Sequence, residues 1–188
     1  MKKSSIGIIC VIVVIAIIGI TMISSYNGMV SKKEAVESSL ADLDVMLQRR
    51  ADLIPNLVST VKGYTNHENE IIEKVTQARA KLVNASSVEE KSSANDELSS
   101  SIDALMVVVE NYPDLKSSEN FKQLSDELAG TENRIAVARK DYNNSVKALN
   151  TSIKKFPNNV LAGMFGFEQA TYFAADEKSS GVPSVSFE

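Results

Sequence analysis

Three arginines stand at or beside the apolar seams of predicted long helices, and their guanidinium groups could do chemistry. Arg50 occupies a seam position, and Arg79 and Arg139 each follow a seam alanine. In that setting a guanidinium forms a partly buried ion pair that fixes helix register, or it binds an anion such as a lipid headgroup. We favour ion pairs and keep anion sensing as the alternative. The candidate acidic partners are Asp52, Glu68, Glu97 and Glu132.

Residues typical of catalysis are sparse. The chain has one histidine, His67, and one cysteine, Cys10, and it lacks the His-Glu-x-x-His and Gly-x-Ser-x-Gly motifs and a glycine-rich phosphate loop. We therefore predict a protein that is not an enzyme, with no catalytic, cofactor-binding or metal-binding residue and no cofactor. A carboxylate-metal enzyme is the remaining enzymatic alternative.

The first helix that must position these residues begins in an apolar run. Residues 6–23 contain no charge, and the uncharged stretch extends from Ser4 to Ser31. Eighteen helical residues rise about 27 Å, close to the roughly 30 Å of a bilayer core. The run is longer than the core of a cleavable signal peptide, and no Ala-x-Ala-like pair follows it. It therefore predicts an uncleaved transmembrane anchor.

The flanking charges bear on the orientation of this anchor. Lys2 and Lys3 lie within four residues before the run, whereas Lys32 and Lys33 lie about nine residues beyond it. The positive-inside rule then favours a cytoplasmic N-terminus and a bulk domain outside the membrane. The chain has 24 acidic and 20 basic residues, a net charge of −4, so we expect no nucleic-acid partner.

The rest of the chain shows helical periodicity. Apolar residues repeat at alternating steps of four and three over about 26 residues of helix 1, predicted for residues 30–62. Helix 3, residues 117–156, repeats the pattern up to Phe156. Between them we favour one continuous helix over residues 66–112, although residues 84–96 could form a loop. Seam positions are Val36, Leu40, Leu43, Leu47, Ile54, Leu57, Val61, Ile71, Val75, Ala78, Leu82, Leu98, Ile102, Leu105, Val109, Tyr112, Phe121, Leu124, Leu128, Ile135, Ala138, Tyr142, Val146, Leu149, Ile153 and Phe156.

Local signals mark where these helices bend, begin and end. Pro55 should bend helix 1, because it lacks the N–H that would bond to the carbonyl of Ala51. Thr65 and Glu68 have capping-box spacing. The prolines at 113 and 157 predict the ends of the middle and third helices.

These elements predict an all-α fold, in which an N-terminal transmembrane helix is followed by an antiparallel bundle of three long helices and a short C-terminal helix. The short helix is expected at about residues 159–167. We expect the C-terminal aromatic residues to dock against the bundle; contact of Phe165 and Phe167 with lipid or a partner is the alternative. The predicted domains are a flank (1–5), the anchor (6–23), the bundle (24–175) and a mobile or weakly extended tail (176–188).

A family resemblance rests on many short motifs in order along nearly the whole chain. The chain resembles proteins of the LemA family, although Leu149 stands where the family often has tyrosine. The motifs are Tyr26-Asn27, Leu47–Val58, Thr60–Tyr64, His67-Glu68, Thr76–Ala80, Glu110–Lys116, Glu132–Arg139, Tyr142-Asn143, Asn150 and Phe156-Pro157. The structural or interaction residues singled out from the seams and these motifs are Arg50, Pro55, Asn56, Glu68, Arg79, Tyr112, Pro113, Glu132, Arg139, Tyr142, Asn143, Phe156 and Pro157.

The resemblance implies a membrane-anchored helical bundle without an established enzymatic activity. A family relative takes part in building magnetosome membranes, which implies a setting in membrane organisation or envelope assembly. Accounts of the family place the bulk domain in the cytoplasm, opposite to the charge bias. We expect a scaffold or interaction protein whose partners are the membrane, unidentified proteins and a second copy of this chain.

Overall fold

Every regular element is a helix within residues 2–65 and 68–174, which are the residues that the computed structural model describes, with side chains from residue 7 onward. This confirms the predicted fold class. The six helices are α1 (Lys2–Lys62), α2 (Asn69–Asn84), α3 (Val88–Val109), α4 (Pro113–Ser117), α5 (Glu119–Lys154) and α6 (Asn158–Phe165).

The helices divide into two compact units. The first unit consists of residues 2–39 and 144–170, and the second consists of residues 40–143 with the described residues from Thr171 onward. Helices α1 and α5 each contribute to both units, whereas α2, α3 and α4 belong to the second and α6 to the first.

Helix α1 continues without interruption from the apolar run into the first bundle helix, as predicted. Its most apolar stretch has a mean hydropathy of 2.9, and none of that stretch is buried. Side chains such as Ile15 and Ile20 are 62% and 67% exposed. The helix is therefore long and apolar enough to cross a membrane.

The prediction of one continuous middle helix is wrong, because the helix is interrupted between Asn84, where α2 ends, and Val88, where α3 begins. Ser87 forms a capping box with Glu90: the Glu90 amide donates to Ser87 Oγ, and the Ser87 amide donates to Glu90 Oε2, each at 3.1 Å. This local bonding satisfies amides at the start of α3 that a continuous helix would bond to the preceding turn.

Two other predicted helix boundaries are also wrong. Helix α2 begins at Asn69 rather than after Thr65, whose hydroxyl donates to the carbonyl of Val61 at 3.2 Å. Residues 66 and 67 lie outside the described residues. Helix α3 ends at Val109, and Pro113 begins α4 instead of ending the middle helix. Proline suits the first helical position because its missing N–H has no helical partner there.

The seam residues of the second unit form its apolar core. Most are buried, but the predicted Ile71 is replaced in the core by its neighbour Ile72, and Leu40, Tyr112, Leu124 and Ala138 are half-buried. Ile71 and Ile72 precede Val75 by four and three residues, so both positions fit the helical stripe, and packing buries Ile72. Buried seam residues of this unit are Leu43, Leu47, Ile54, Leu57, Val61, Val75, Ala78, Leu82, Leu98, Ile102, Leu105, Val109, Phe121, Leu128, Ile135 and Tyr142.

The first unit has its own buried apolar residues on α1, α5 and α6. They are Met29, Val36, Val146, Leu149, Ile153, Leu161 and Ala162. The predicted short C-terminal helix is present as α6, and Gly166 ends it with a φ of 71°, a left-handed conformation that favours glycine. Phe156 does not continue the seam of α5, since it is 83% exposed. The predicted tail (176–188) lies outside the described residues.

Candidate functional site

Arg50 is the centre of a buried polar cluster in the second unit. Its side chain comes from a seam position of α1 and is only 4% exposed as a residue. Arg50 Nη1 donates to Asn95 Oδ1 of α3 at 2.7 Å and lies 2.8 Å from Glu132 Oε2 of α5. One guanidinium thus joins three helices, and Glu132, a candidate partner from the sequence, is the acid beside it.

The charges around Arg50 are acidic. Burial lowers the pKa of Arg50 from its ordinary value, while the carboxylates of Glu132, Asp103 and Asp96 act in the opposite direction. Arg50 Nε has no hydrogen-bond partner among the described residues. An external anion at this point would have to compete with Glu132 and approach two further carboxylates. The arrangement therefore favours a structural role for the Arg50 guanidinium over a role in binding an anion.

Arg79 supplies the hydrogen bond to α1 that Pro55 cannot make. Proline has no N–H, so Pro55 cannot donate to the carbonyl of Ala51 as the helical pattern requires. Arg79 Nε of α2 donates to this carbonyl oxygen at 2.7 Å. Ala51 is 1% exposed, so water has little access to the residue. Two predicted residues, Pro55 and Arg79, are therefore linked through one backbone atom.

Other candidate acids have partners that are not arginine. The Tyr112 hydroxyl donates to Glu68 Oε1 at 2.8 Å, and this hydrogen bond is the main cause of a raised pKa at Tyr112. Glu97 accepts from Lys81 Nζ at 2.6 Å, and Asp52 accepts from Gln48 Nε2 at 2.8 Å.

The side chains of Tyr142 and Asn143 hold the segment that follows α6. The Tyr142 hydroxyl donates to the carbonyl of Thr171 at 2.7 Å. Asn143 Nδ2 donates to the carbonyl of Phe173, and the Phe173 amide donates back to Asn143 Oδ1, both at 2.9 Å. Burial is the main cause of a raised pKa at Tyr142. Phe173 itself is 1% exposed, so this C-terminal aromatic residue docks in the second unit.

The first unit repeats this pairing with another asparagine. Asn150 Nδ2 donates to the carbonyl of Ala170 at 2.8 Å, and the Ala170 amide donates to Asn150 Oδ1 at 2.9 Å. A side-chain amide that bonds to both polar groups of one residue imitates a strand pairing. It satisfies backbone groups in a segment that has no helix or sheet of its own.

The remaining predicted residues are not brought into these clusters. Asn56 is exposed, Arg139 is half-buried, and Pro157 is exposed at the residue before α6.

Sequence reasoning missed Asn95 and the ion pair of Lys91 with Asp44, whose Nζ and Oδ2 atoms lie 2.7 Å apart. Asn95 had a usable signal, because it continues the three–four spacing of Leu98 and Ile102 toward the N-terminus, as a polar residue in a seam.

Two open grooves mark the surface of the second unit. One, with a volume of 790 Å³, lies beside Val45, Leu82 and Val83. The other, of 720 Å³, is lined by both signs of charge: Arg49, Lys122, Arg134, Glu119, Asp126 and Glu127. No group of three or more His, Cys, Asp or Glu side chains within the described part of the chain could hold a metal ion.

Known proteins resemble this chain over most of its length. Magnetosome protein MamQ 2 of Paramagnetospirillum magneticum is 30% identical over 200 residues, covering 93% of this chain and 72% of the relative. Magnetosome protein MamQ of Magnetospirillum gryphiswaldense is 27% identical over 187 residues, which is 86% of this chain and 68% of the relative. Protein LemA of Metamycoplasma hominis is 28% identical over 170 residues, which is 88% of this chain and 76% of the relative. The profile of the LemA family matches residues 39–187, and the chain belongs to the LemA family.

Proposed function

We propose that this protein is a membrane-anchored helical scaffold, an interaction protein that catalyses no reaction and acts in membrane organisation or envelope assembly. The observation that carries the proposal is the continuity of α1, in which the exposed apolar run and the first bundle helix are one helix. A bundle attached to a bilayer in this way is suited to recruit partners at the membrane.

The polar residues of the bundle support a structural role. Arg50 bonds to Asn95 and pairs with Glu132, and Arg79 bonds to the carbonyl of Ala51. These side chains are used to join helices, which is what a scaffold requires of them. Relatives named as magnetosome proteins support a setting in membrane organisation, because a magnetosome is a membrane-bounded structure.

Anion or lipid-headgroup sensing through the arginines has less support, since both Arg50 and Arg79 already have partners. A thermal-shift panel of anions would test it on the full-length protein. A shift that Arg50→Ala abolishes would favour sensing over scaffolding.

The scaffold proposal can be tested by crosslinking in cells, because each long helix of the second unit has one exposed valine. Val45, Val83, Val107 and Val137 lie on α1, α2, α3 and α5 and are 60%, 46%, 70% and 60% exposed. A photoreactive amino acid at each position gives four matched probes of the bundle surface. We expect crosslinks to a defined protein, or to a second copy, from some helices and not from others.

A face-specific crosslink should disappear when a glutamate replaces a neighbouring exposed residue. The unfolding midpoint of that glutamate variant should equal that of the parent protein, which shows that the variant is folded. Uniform or absent crosslinks at all four positions, together with a strictly monomeric full-length protein, would contradict the scaffold proposal.

The side on which the bundle lies needs a separate measurement. The chain has a single cysteine, Cys10, so Cys10→Ser leaves a background without thiols. Ser93 is exposed on α3, and Ser93→Cys then reports on the bundle through an impermeant thiol reagent. Labelling of intact cells would place the partners outside the membrane, and labelling only after lysis would place them in the cytoplasm.

A further inference from the structure

Helix α6 presents an apolar surface to solvent where a helix of a soluble protein is expected to be polar. We call Phe156, Val160, Met164 and Phe165 the α6 patch; they are 83%, 55%, 67% and 50% exposed. Leu161 and Ala162, on the same helix, are buried. No charged residue occurs from Phe156 to Phe167. Single exposed apolar residues are common, but four of them within ten residues call for an apolar environment.

Ring contacts within the first unit place Phe165, one residue of this patch, beside the end of the apolar run. The ring of Tyr26 on α1 lies 5.0 Å from that of Phe165 and 5.7 Å from that of Phe167, in edge-to-face geometry. Tyr26 is three residues beyond Ile23, or about 4.5 Å further along the helix axis. Tyrosine is enriched at that level of a membrane protein, where the hydrocarbon meets the headgroups.

The charges of the same unit suit a membrane surface. Beyond the apolar run it carries five lysines and three glutamates, whereas the described residues of the second unit include 12 basic and 18 acidic residues. Lys32, Lys147 and Lys155 line one groove of 470 Å³. Basic residues beside a membrane span are attracted to anionic headgroups. The excess of basic over acidic residues is thus found in the unit that contains the apolar run and the α6 patch.

We propose that the α6 patch lies in the interfacial layer of the bilayer that α1 spans, with lipid as its occupant. This inference rests on the membrane anchoring proposed above. Val160 and Met164, one helical turn apart, insert among the upper parts of the acyl chains, and Phe165 lies at the level of Tyr26. The lysines of the unit remain among the headgroups, as in other amphipathic elements at membrane surfaces.

The chain has no tryptophan, so one introduced indole reports on its own position. Met164→Trp in the full-length protein is reconstituted into vesicles of phosphatidylcholine and phosphatidylglycerol, with acyl chains brominated either near the headgroup or near the methyl end. We expect several-fold stronger quenching of Met164→Trp by the shallow bromines than by the deep ones. Phe156→Trp, at a more exposed position, is the second reporter in case Met164→Trp disturbs folding.

Two control variants separate this inference from the anchoring itself. Ile15→Trp, in the middle of the apolar run, should be quenched most by the deep bromines, and Val137→Trp, on the second unit, should not be quenched. Loss of quenching at Ile15→Trp would overturn the anchoring and the inference together. Normal quenching at Ile15→Trp, with Met164→Trp and Phe156→Trp as unquenched as Val137→Trp, would overturn the inference alone. A blue-shifted, unquenched indole whose shift depends on protein density would show that a second copy covers the patch.

Discussion

Arg79 Nε donates a 2.7 Å hydrogen bond to the carbonyl oxygen of Ala51, the helical acceptor that Pro55 cannot serve. The bond connects α2 to α1 at the point where α1 lacks one of its own bonds. A proline inside a long helix is usually costly, and here the free acceptor becomes a point of attachment for a second helix. The pair therefore links a local defect to tertiary packing.

The first prediction concerns this coupling. Arg79→Ala should lower the free energy of unfolding by about 1–3 kcal/mol, because a buried carbonyl loses its donor. In a Pro55→Ala background the loss should be smaller, since the amide at position 55 can then donate to Ala51. Urea unfolding of the full-length protein in micelles, followed by circular dichroism, measures all four members of the cycle.

The half-buried Arg139 is the matched control for that cycle. Arg139→Ala should have the same effect with and without Pro55→Ala. Equal losses from Arg79→Ala in both backgrounds would show that the contribution of Arg79 is not coupled to the amide that Pro55 lacks.

The second prediction tests Asn95 as the neutral partner of Arg50. Asn95→Ala should lower the free energy of unfolding by about 1–3 kcal/mol, because a buried guanidinium loses an acceptor. Adding Arg50→Met should recover part of this loss, since an apolar side chain does not need the acceptor. Ser93→Ala, an exposed change on the same helix, should stay within about 0.5 kcal/mol. If Asn95→Ala left the free energy of unfolding unchanged, the assigned role of Asn95 would be wrong.

The third prediction concerns the amide pairing of Asn150 with Ala170. The Ala170 amide donates to Asn150 Oδ1 at 2.9 Å, so Asn150→Ala should expose it to solvent. We expect its hydrogen exchange to accelerate about tenfold, which corresponds to the loss of ~1.4 kcal/mol of protection. Asn144→Ala, at an exposed position on the same helix, should leave the rate unchanged. An unchanged rate in Asn150→Ala would mean that other contacts hold this segment.

The fourth prediction is a pH dependence at the start of α3. Hydrogen bonds from Ser86 and Ser87 lower the pKa of Glu90 from its ordinary value of 4.5. Because the folded pKa is the lower one, this stabilisation is complete above the unfolded pKa and is lost as the pH falls through the folded pKa. Acid should therefore fray the first turn of α3. A carboxyl titration by NMR measures the pKa directly.

Glu90→Gln should weaken the acid dependence, because glutamine caps the helix without titrating in this range. Glu89→Gln, in the same first turn, serves as the comparison. If both variants keep the acid dependence of the parent protein, Glu90 is not its source.

The sequence by itself determined the helices and most of the core. The three–four spacing identifies Leu43, Leu57, Leu98 and Leu105, which are all fully buried, because helical periodicity decides which side of a helix faces inward. The uncharged run likewise determined the exposed apolar part of α1 by its length and composition. Pro55 identified the carbonyl of Ala51 as an acceptor without a helical donor.

Only the tertiary structure decided which groups meet. Which side chain bonds to the Ala51 carbonyl, and which acceptor bonds to Arg50, depends on the register of neighbouring helices, and helical periodicity does not report that register. The break before Val88 depends on the competition between local capping and helix continuation, which periodicity does not report. Phe156 has the spacing of a core residue, but it lies beyond the last turn of α5, so its exposure follows from the path of the chain rather than from its apolar character.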